Sequence, residues 1–102
     1  MAVNYDEMSE TAEKASELLR ILSNQKRLLI LCKLANGERS VQQLQEDTGL
    51  GQSTVSQQLA KLRGEKLVTS RRQAQSVFYS LSSGEVEALI ETLYGLYCSP
   101  EC

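Results

Sequence analysis

The chain has 102 residues, a formal net charge of −2 at pH 7, three cysteines and no histidine. That length fits a single domain over residues 1–102 with a modest core. A chain this short buries only about two thirds of its unfolded surface, so a partner subunit would add useful burial. The apolar run Leu28 to Cys32 stops at Lys33, far short of the roughly 20 residues of a membrane span. With an acidic, polar beginning unlike a signal peptide and an odd number of cysteines, a cytoplasmic protein with reduced thiols and no membrane partner is expected.

From Asp6 to Leu22, the residues Met8, Ala12, Ala15, Leu18, Leu19 and Leu22 recur at helical spacing, with acidic residues in the early turns where the helix dipole favours them. Ser23 can cap a second helix reaching about Ala35, whose run Leu28-Leu29-Ile30-Leu31-Cys32 is apolar nearly all round and is expected to be central. Asn36-Gly37 ends it. Ser40 caps a short third helix with Val41 and Leu44 inward, and Thr48-Gly49-Leu50-Gly51 supplies a tight turn into a fourth.

That fourth helix, Gly51 to Arg63, sets Val55, Leu59 and Leu62 toward a core while Gln52, Ser53, Thr54, Ser56 and Gln57 crowd its exposed first turns. Their short donors and acceptors reach base edges or phosphates, and the unsatisfied N–H groups of the first turn suit a phosphate. A short helix, a glycine-containing turn and a second helix with a polar start make a helix-turn-helix. An ordinary amphipathic surface helix carries the same pattern, so the neighbouring residues decide between the two.

Beyond Arg63-Gly64, the β-rich segments Leu67 to Arg72 and Ser76 to Leu81 flank Gln73-Ala74-Gln75 and predict a hairpin, or wing. Between Gln52 and Gln75, Lys61, Arg63, Lys66, Arg71 and Arg72 oppose Glu65 for a balance of +4, whereas from Ser82 onward Glu85, Glu87, Glu91 and Glu101 meet no basic residue. The overall charge therefore conceals a basic surface around the candidate groove helix. Lys61, Arg71, Arg72, Gln73 and Gln75 are its expected phosphate or minor-groove contacts. Ser82-Ser83-Gly84-Glu85 offers a capping box for a last helix with Val86, Leu89, Ile90, Leu93, Tyr94 and Tyr97 on one face. The first helix and a second copy are the expected cover, with Leu18, Leu89, Leu93, Tyr94 and Tyr97 at the dimer interface. The expected fold is mainly α with a small hairpin, in the order ααααββα.

This order resembles the ArsR/SmtB family of winged-helix repressors over nearly the whole chain. The likeness rests on the run Leu22-Ser-Asn-Gln-Lys-Arg-Leu-Leu-Ile-Leu-Cys32, on Gln52-Ser-Thr-Val-Ser-Gln-Gln-Leu59, and on Arg71-Arg72 followed by Val77-Phe-Tyr-Ser-Leu81. Gln25 stands where many members have proline, and Gln58 where many have histidine. The resemblance implies a homodimer joined through its first and last helices. It would bind double-stranded operator DNA with twofold pseudosymmetry, its groove helices roughly 34 Å apart, and let go when an inducer arrives.

Many relatives hold zinc or similar ions through cysteines on the third helix or Asp and His on the last. Ser40 to Asp47 has no cysteine and the chain has no histidine, so neither metal site nor cofactor is expected. Read from its apolar surroundings alone, Cys32 is a small, inert core residue. Cys32 and Cys98 nonetheless match positions in the dithiol subgroup typified by SqrR, BigR, YgaV and HlyU, which answers persulfides, polysulfides or oxidants. The resemblance implies that a disulfide or polysulfide bridge joins them and releases the DNA. A direct disulfide needs Cα atoms about 4.4–6.8 Å apart, while inserted sulfur lets a wider pair close. Cys102 can be a spare thiol, an alternative resolving thiol, or the third ligand of a site for arsenite or another soft ion formed with Cys32 and Cys98. Without Cys-X-X-Cys, a histidine base or a phosphate-binding glycine loop, an enzyme is not expected. A winged helix used only for protein contacts remains as an alternative that predicts no salt-dependent binding to duplex DNA.

Overall fold

A computed structural model describes residues 1–98. Among them the elements run α1 (Tyr5–Leu22), α2 (Gln25–Leu34), β1 (Arg39–Ser40), α3 (Val41–Thr48), α4 (Gln52–Gly64), β2 (Val68–Gln73), β3 (Ser76–Leu81) and α5 (Gly84–Tyr97). The order is therefore ααβααββα, not the expected ααααββα. The added strand β1 pairs antiparallel with β3, Arg39 opposite Tyr79 and Ser40 opposite Phe78. The expected hairpin thus becomes part of a three-stranded sheet of order β1-β3-β2. Two residues are too few to show an alternating pattern, and one of them, Ser40, is also the N-cap of α3, which is the only role its sequence context displays.

The helix ends follow local chemistry, with two shifts from expectation. Asn24, not Ser23, caps α2, its side chain accepting from the Arg27 N–H at 3.0 Å, while Ser23 closes α1. Ser83, not Ser82, caps α5 and accepts from the Val86 N–H at 3.2 Å, so Glu85 falls one place short of a capping box. A full box occurs at α3 instead: the Gln43 N–H donates to Ser40 Oγ at 3.1 Å and the Ser40 N–H donates to Gln43 Oε1 at 2.9 Å. Gly64, one residue beyond the expected end of α4 at Arg63, lies inside its last turn. The left-handed position is taken by Lys66 at φ 64°, where the Leu67 N–H reaches the Leu62 carbonyl at 3.0 Å and the Lys66 N–H that of Arg63 at 2.9 Å.

The core joins Ile30, Leu31 and Leu34 of α2 to Leu44 of α3, Val55, Leu59 and Leu62 of α4, Val68 of β2, and Val86 and Ile90 of α5. The apolar run of α2 is not central on every side: Leu29 and Cys32, one turn apart, are exposed. In α1 only Ile21 and Leu22 are buried, so Met8, Ala12 and Ala15 lie uncovered. No helix among the described residues is long and apolar enough to cross a membrane.

Candidate nucleic-acid interface and thiol pair

Three buried residues, Val55, Leu59 and Leu62, seat α4 on the core. Gln52, Ser53, Ser56, Gln57 and Lys61 are thereby exposed, with Thr54 half-buried. The N-cap, Gly51, offers no side-chain hydrogen bond, which leaves first-turn N–H groups to an outside acceptor. A brace that sequence reasoning missed holds α4 from behind. The Arg27 Nε–H donates to Gln58 Oε1 at 2.9 Å and Nη1 donates to the Ile21 carbonyl at 3.1 Å. One guanidinium thus ties α2 to both α1 and α4. The available signal was Arg27 in the Lys-Arg start of α2 together with Gln58 in place of the family's common histidine.

In the wing, β2 and β3 pair from Val68 opposite Leu81 to Gln73 opposite Ser76. The two-residue turn begins at Ala74 with φ 56°. Strand alternation sends Arg71 and Arg72 to opposite faces. Arg72 shares its face with Val68, Tyr79 and Leu81, which pack on the core, and is exposed beyond them without an ion pair among the described residues. Arg71, expected to meet phosphate, is engaged. Its Nε and Nη2 each donate to one oxygen of Glu38 at 2.7 Å, Nη1 donates to Gln73 Oε1 at 2.7 Å, and its Cζ lies 5.1 Å from the Phe78 ring centroid. The hydrogen bond from Arg71 holds the Glu38 carboxyl below its ordinary range. Gln73 is therefore partly committed, while Gln75 is exposed at the tip.

Cys32 near the end of α2 and Cys98 at the C-cap of α5 are both exposed, free cysteines. The core placement that apolar surroundings suggest for Cys32 is thus corrected: the thiol lies on the side of α2 turned away from Ile30, Leu31 and Leu34. Partial burial pushes the Cys32 thiol pKa up, and charge on the neighbouring Cys98 sulfur pushes it further. Cys102 and Glu101 lie outside the described residues. Among the described residues, no three or more His, Cys, Asp or Glu side chains gather to hold a metal ion. Of the expected interface residues, Leu18 and Leu89 pack against the chain's own core, and Leu93 is half-buried. Tyr94 and Tyr97 stand 60% and 82% exposed, joined by Leu19, Leu29 and Leu96, which the sequence reading did not assign to the interface.

The α3–α4 pair followed by the β2–β3 hairpin defines a winged helix-turn-helix, a DNA-binding class. Residues 24–70 match the family described as bacterial regulatory protein, arsR family. The chain is 49% identical over 96 residues to the transcriptional activator HlyU of Vibrio cholerae serotype O1, covering 94% of this chain and 89% of that one. Its structure aligns with the transcriptional repressor BigR from Xylella fastidiosa at a TM-score of 0.90 and 36% identity, covering 95% and 99% of the two chains. Reduced HlyU from Vibrio cholerae aligns at 0.85 and 49% identity, covering 91% and 98%. The protein belongs to the ArsR family and is similar to its HlyU, BigR and YgaV type. It is a DNA-binding, non-catalytic transcriptional regulator, and regulators of this family generally bind operator DNA as dimers.

Proposed function

We propose that this chain acts as a homodimeric repressor that releases its operator when Cys32 and Cys98 are linked by a disulfide or polysulfide bridge, with reactive sulfur species as inducer. The observation that carries the reading is the thiol pair itself: Cys32 and Cys98 are both free, exposed residues, and after partial burial the charge on Cys98 is the second cause that raises the Cys32 pKa. A thiolate attacks the sulfane sulfur of a persulfide, giving a protein persulfide and a released thiolate. The second thiol then displaces hydrogen sulfide to close a disulfide, or two protein persulfides condense to a trisulfide with loss of hydrogen sulfide. The raised pKa lowers the fraction of Cys32 present as thiolate, the form that attacks in either step.

On the DNA side, Gln52, Ser53, Thr54, Ser56 and Gln57 would face bases and backbone while Lys61 and Arg72 meet phosphates. The exposed Tyr94, Leu96 and Tyr97 of α5, with Leu19 of α1, would be covered by a second copy. Anaerobic peptide mass mapping after treatment with a glutathione persulfide donor, run beside DNA-binding anisotropy, tests the sensor. Linked Cys32 and Cys98 peptides appearing together with DNA release are expected. Cys98→Ser is expected to bind DNA and ignore the donor, and Cys102→Ser to behave as wild type. Unmodified thiols, or normal release by Cys98→Ser, would refute the mechanism.

A further inference from the structure

The wing outruns its support. β1 covers β3 only at Phe78 and Tyr79, so from Val77 to the tip the hairpin is a two-stranded ribbon, which is marginal by itself in water. The bidentate pair of Arg71 with Glu38 ties the edge of that support back across β3: Arg71 lies opposite Phe78, the last residue that β1 covers toward the tip, and Glu38 immediately precedes β1 on the side away from the tip. We propose that Arg71 is a positioning residue for DNA binding, clamping the wing to Glu38 so that Arg72 beside it meets a phosphate.

Three features favour this division of labour. All three guanidinium nitrogens of Arg71 already have acceptors, two on Glu38 and one on Gln73, and Phe78 lies beside the group. The pair with Glu38 is locally neutral, so it offers a phosphate no net charge and releases no counterion. Alternation places Arg72 on the opposite face, exposed and without an ion pair among the described residues. Planar two-point geometry also fits guanidinium and not ammonium, which makes lysine a poor substitute at 71 but an adequate one at 72.

The proposal rests on DNA binding by this chain. Its test therefore begins with a fluorescein-labelled duplex selected by the wild-type protein from a random-sequence pool; failure to select any duplex would refute DNA binding itself. With that duplex, Arg71→Lys is expected to weaken binding roughly three- to tenfold, the range for a well-formed but half-exposed bidentate pair, with the slope of log affinity against log salt unchanged. Arg72→Ala is expected to flatten that slope by about 0.9 for each phosphate that Arg72 neutralises in the wild-type complex. Arg71→Glu is expected to lose affinity, and the swap Glu38→Arg with Arg71→Glu to recover most of it although position 71 then carries a negative charge. Wild-type affinity in Arg71→Lys overturns the proposal, as does a swap no better than Arg71→Glu. Either result would make Arg71 a phosphate contact.

Discussion

Arg27 is the residue whose removal reports most directly on how the recognition helix is held. Replacing it by methionine keeps the apolar stem and deletes the guanidinium that bonds Gln58 Oε1 and the Ile21 carbonyl. Hydrogen bonds from a charged donor contribute more than neutral ones. Both ends here are only partly buried, however, so water can replace part of what is removed, and a net cost of about 1–2 kcal/mol is expected. At about 4–8 °C per kcal/mol for a domain near this size, thermal unfolding at one fixed protein concentration would show the change clearly. Gln58→Met removes the acceptor from the other side. The double variant should then cost less than the two singles together, with a coupling of about 1 kcal/mol for residues in direct contact. Gln58 lies on α4 between Gln57 and Lys61, so duplex affinity should fall several-fold in each single variant. A coupling below about 0.3 kcal/mol would refute the brace, because that is the scatter expected of independent sites.

Other outcomes follow from the same geometry. Lys66→Gly should stabilise the fold by about 0.5–1 kcal/mol, since glycine adopts the left-handed conformation without a Cβ penalty; an unchanged denaturation midpoint would contradict the helix stop at that residue. Asn24→Ala should cost about 1 kcal/mol through loss of the α2 cap, and Ser23→Ala clearly less. Because burial and Cys98 both raise the Cys32 pKa, Cys32 holds less thiolate than an ordinary cysteine at the same pH. Its alkylation should keep accelerating beyond the usual thiol range near about 8.5, and Cys98→Ser should move that midpoint down. The folded chain then keeps the Cys32 proton to higher pH than the unfolded chain. Its contribution to stability is full below the unfolded thiol pKa and is lost as pH rises above it.

Periodicity over Val55, Leu59 and Leu62 located α4 because that stripe seats the helix on the core, and periodicity over Asp6 to Leu22 located α1 although the chain itself buries only Ile21 and Leu22 of it. The family resemblance rested on local runs, and those runs coincide with most of α2, the first turns of α4 and the β2–β3 wing. What escaped were features made between distant segments. β1 exists only because Phe78 and Tyr79 accept it as a neighbour. Arg71 and Arg72 look identical in sequence, and only the register of β2 with β3, together with Glu38 thirty-three residues away, separates an engaged guanidinium from an exposed one. Cys32 was hidden within an apolar run that serves two faces: Ile30, Leu31 and Leu34 supply the core, while Leu29 stays 43% exposed beside it. A chain that buries its remaining apolar surface against a second copy gives both faces the same composition, so hydropathy alone cannot tell them apart.

Under the proposed mechanism, α2 is where sensing and DNA reading meet within one subunit. Its first turn carries Arg27 against Gln58 of α4, Cys32 follows about one and a half turns later, and Glu38, which holds Arg71 of the wing, comes just past its end. A bridge between Cys32 and Cys98 pulls directly on α2 and α5 alone. Inside the subunit its effect reaches α4 or the wing through the shared core of Ile30, Leu31 and Leu34 and through those two polar links. A hundredfold loss of operator affinity requires about 2.7 kcal/mol. Two links of about 1 kcal/mol each account for most of that, so a bridge need only make the geometry that satisfies both incompatible with the geometry that fits DNA. This is a differential stabilisation of two arrangements, as ligand-driven release requires, and it needs no unfolding of the recognition helix.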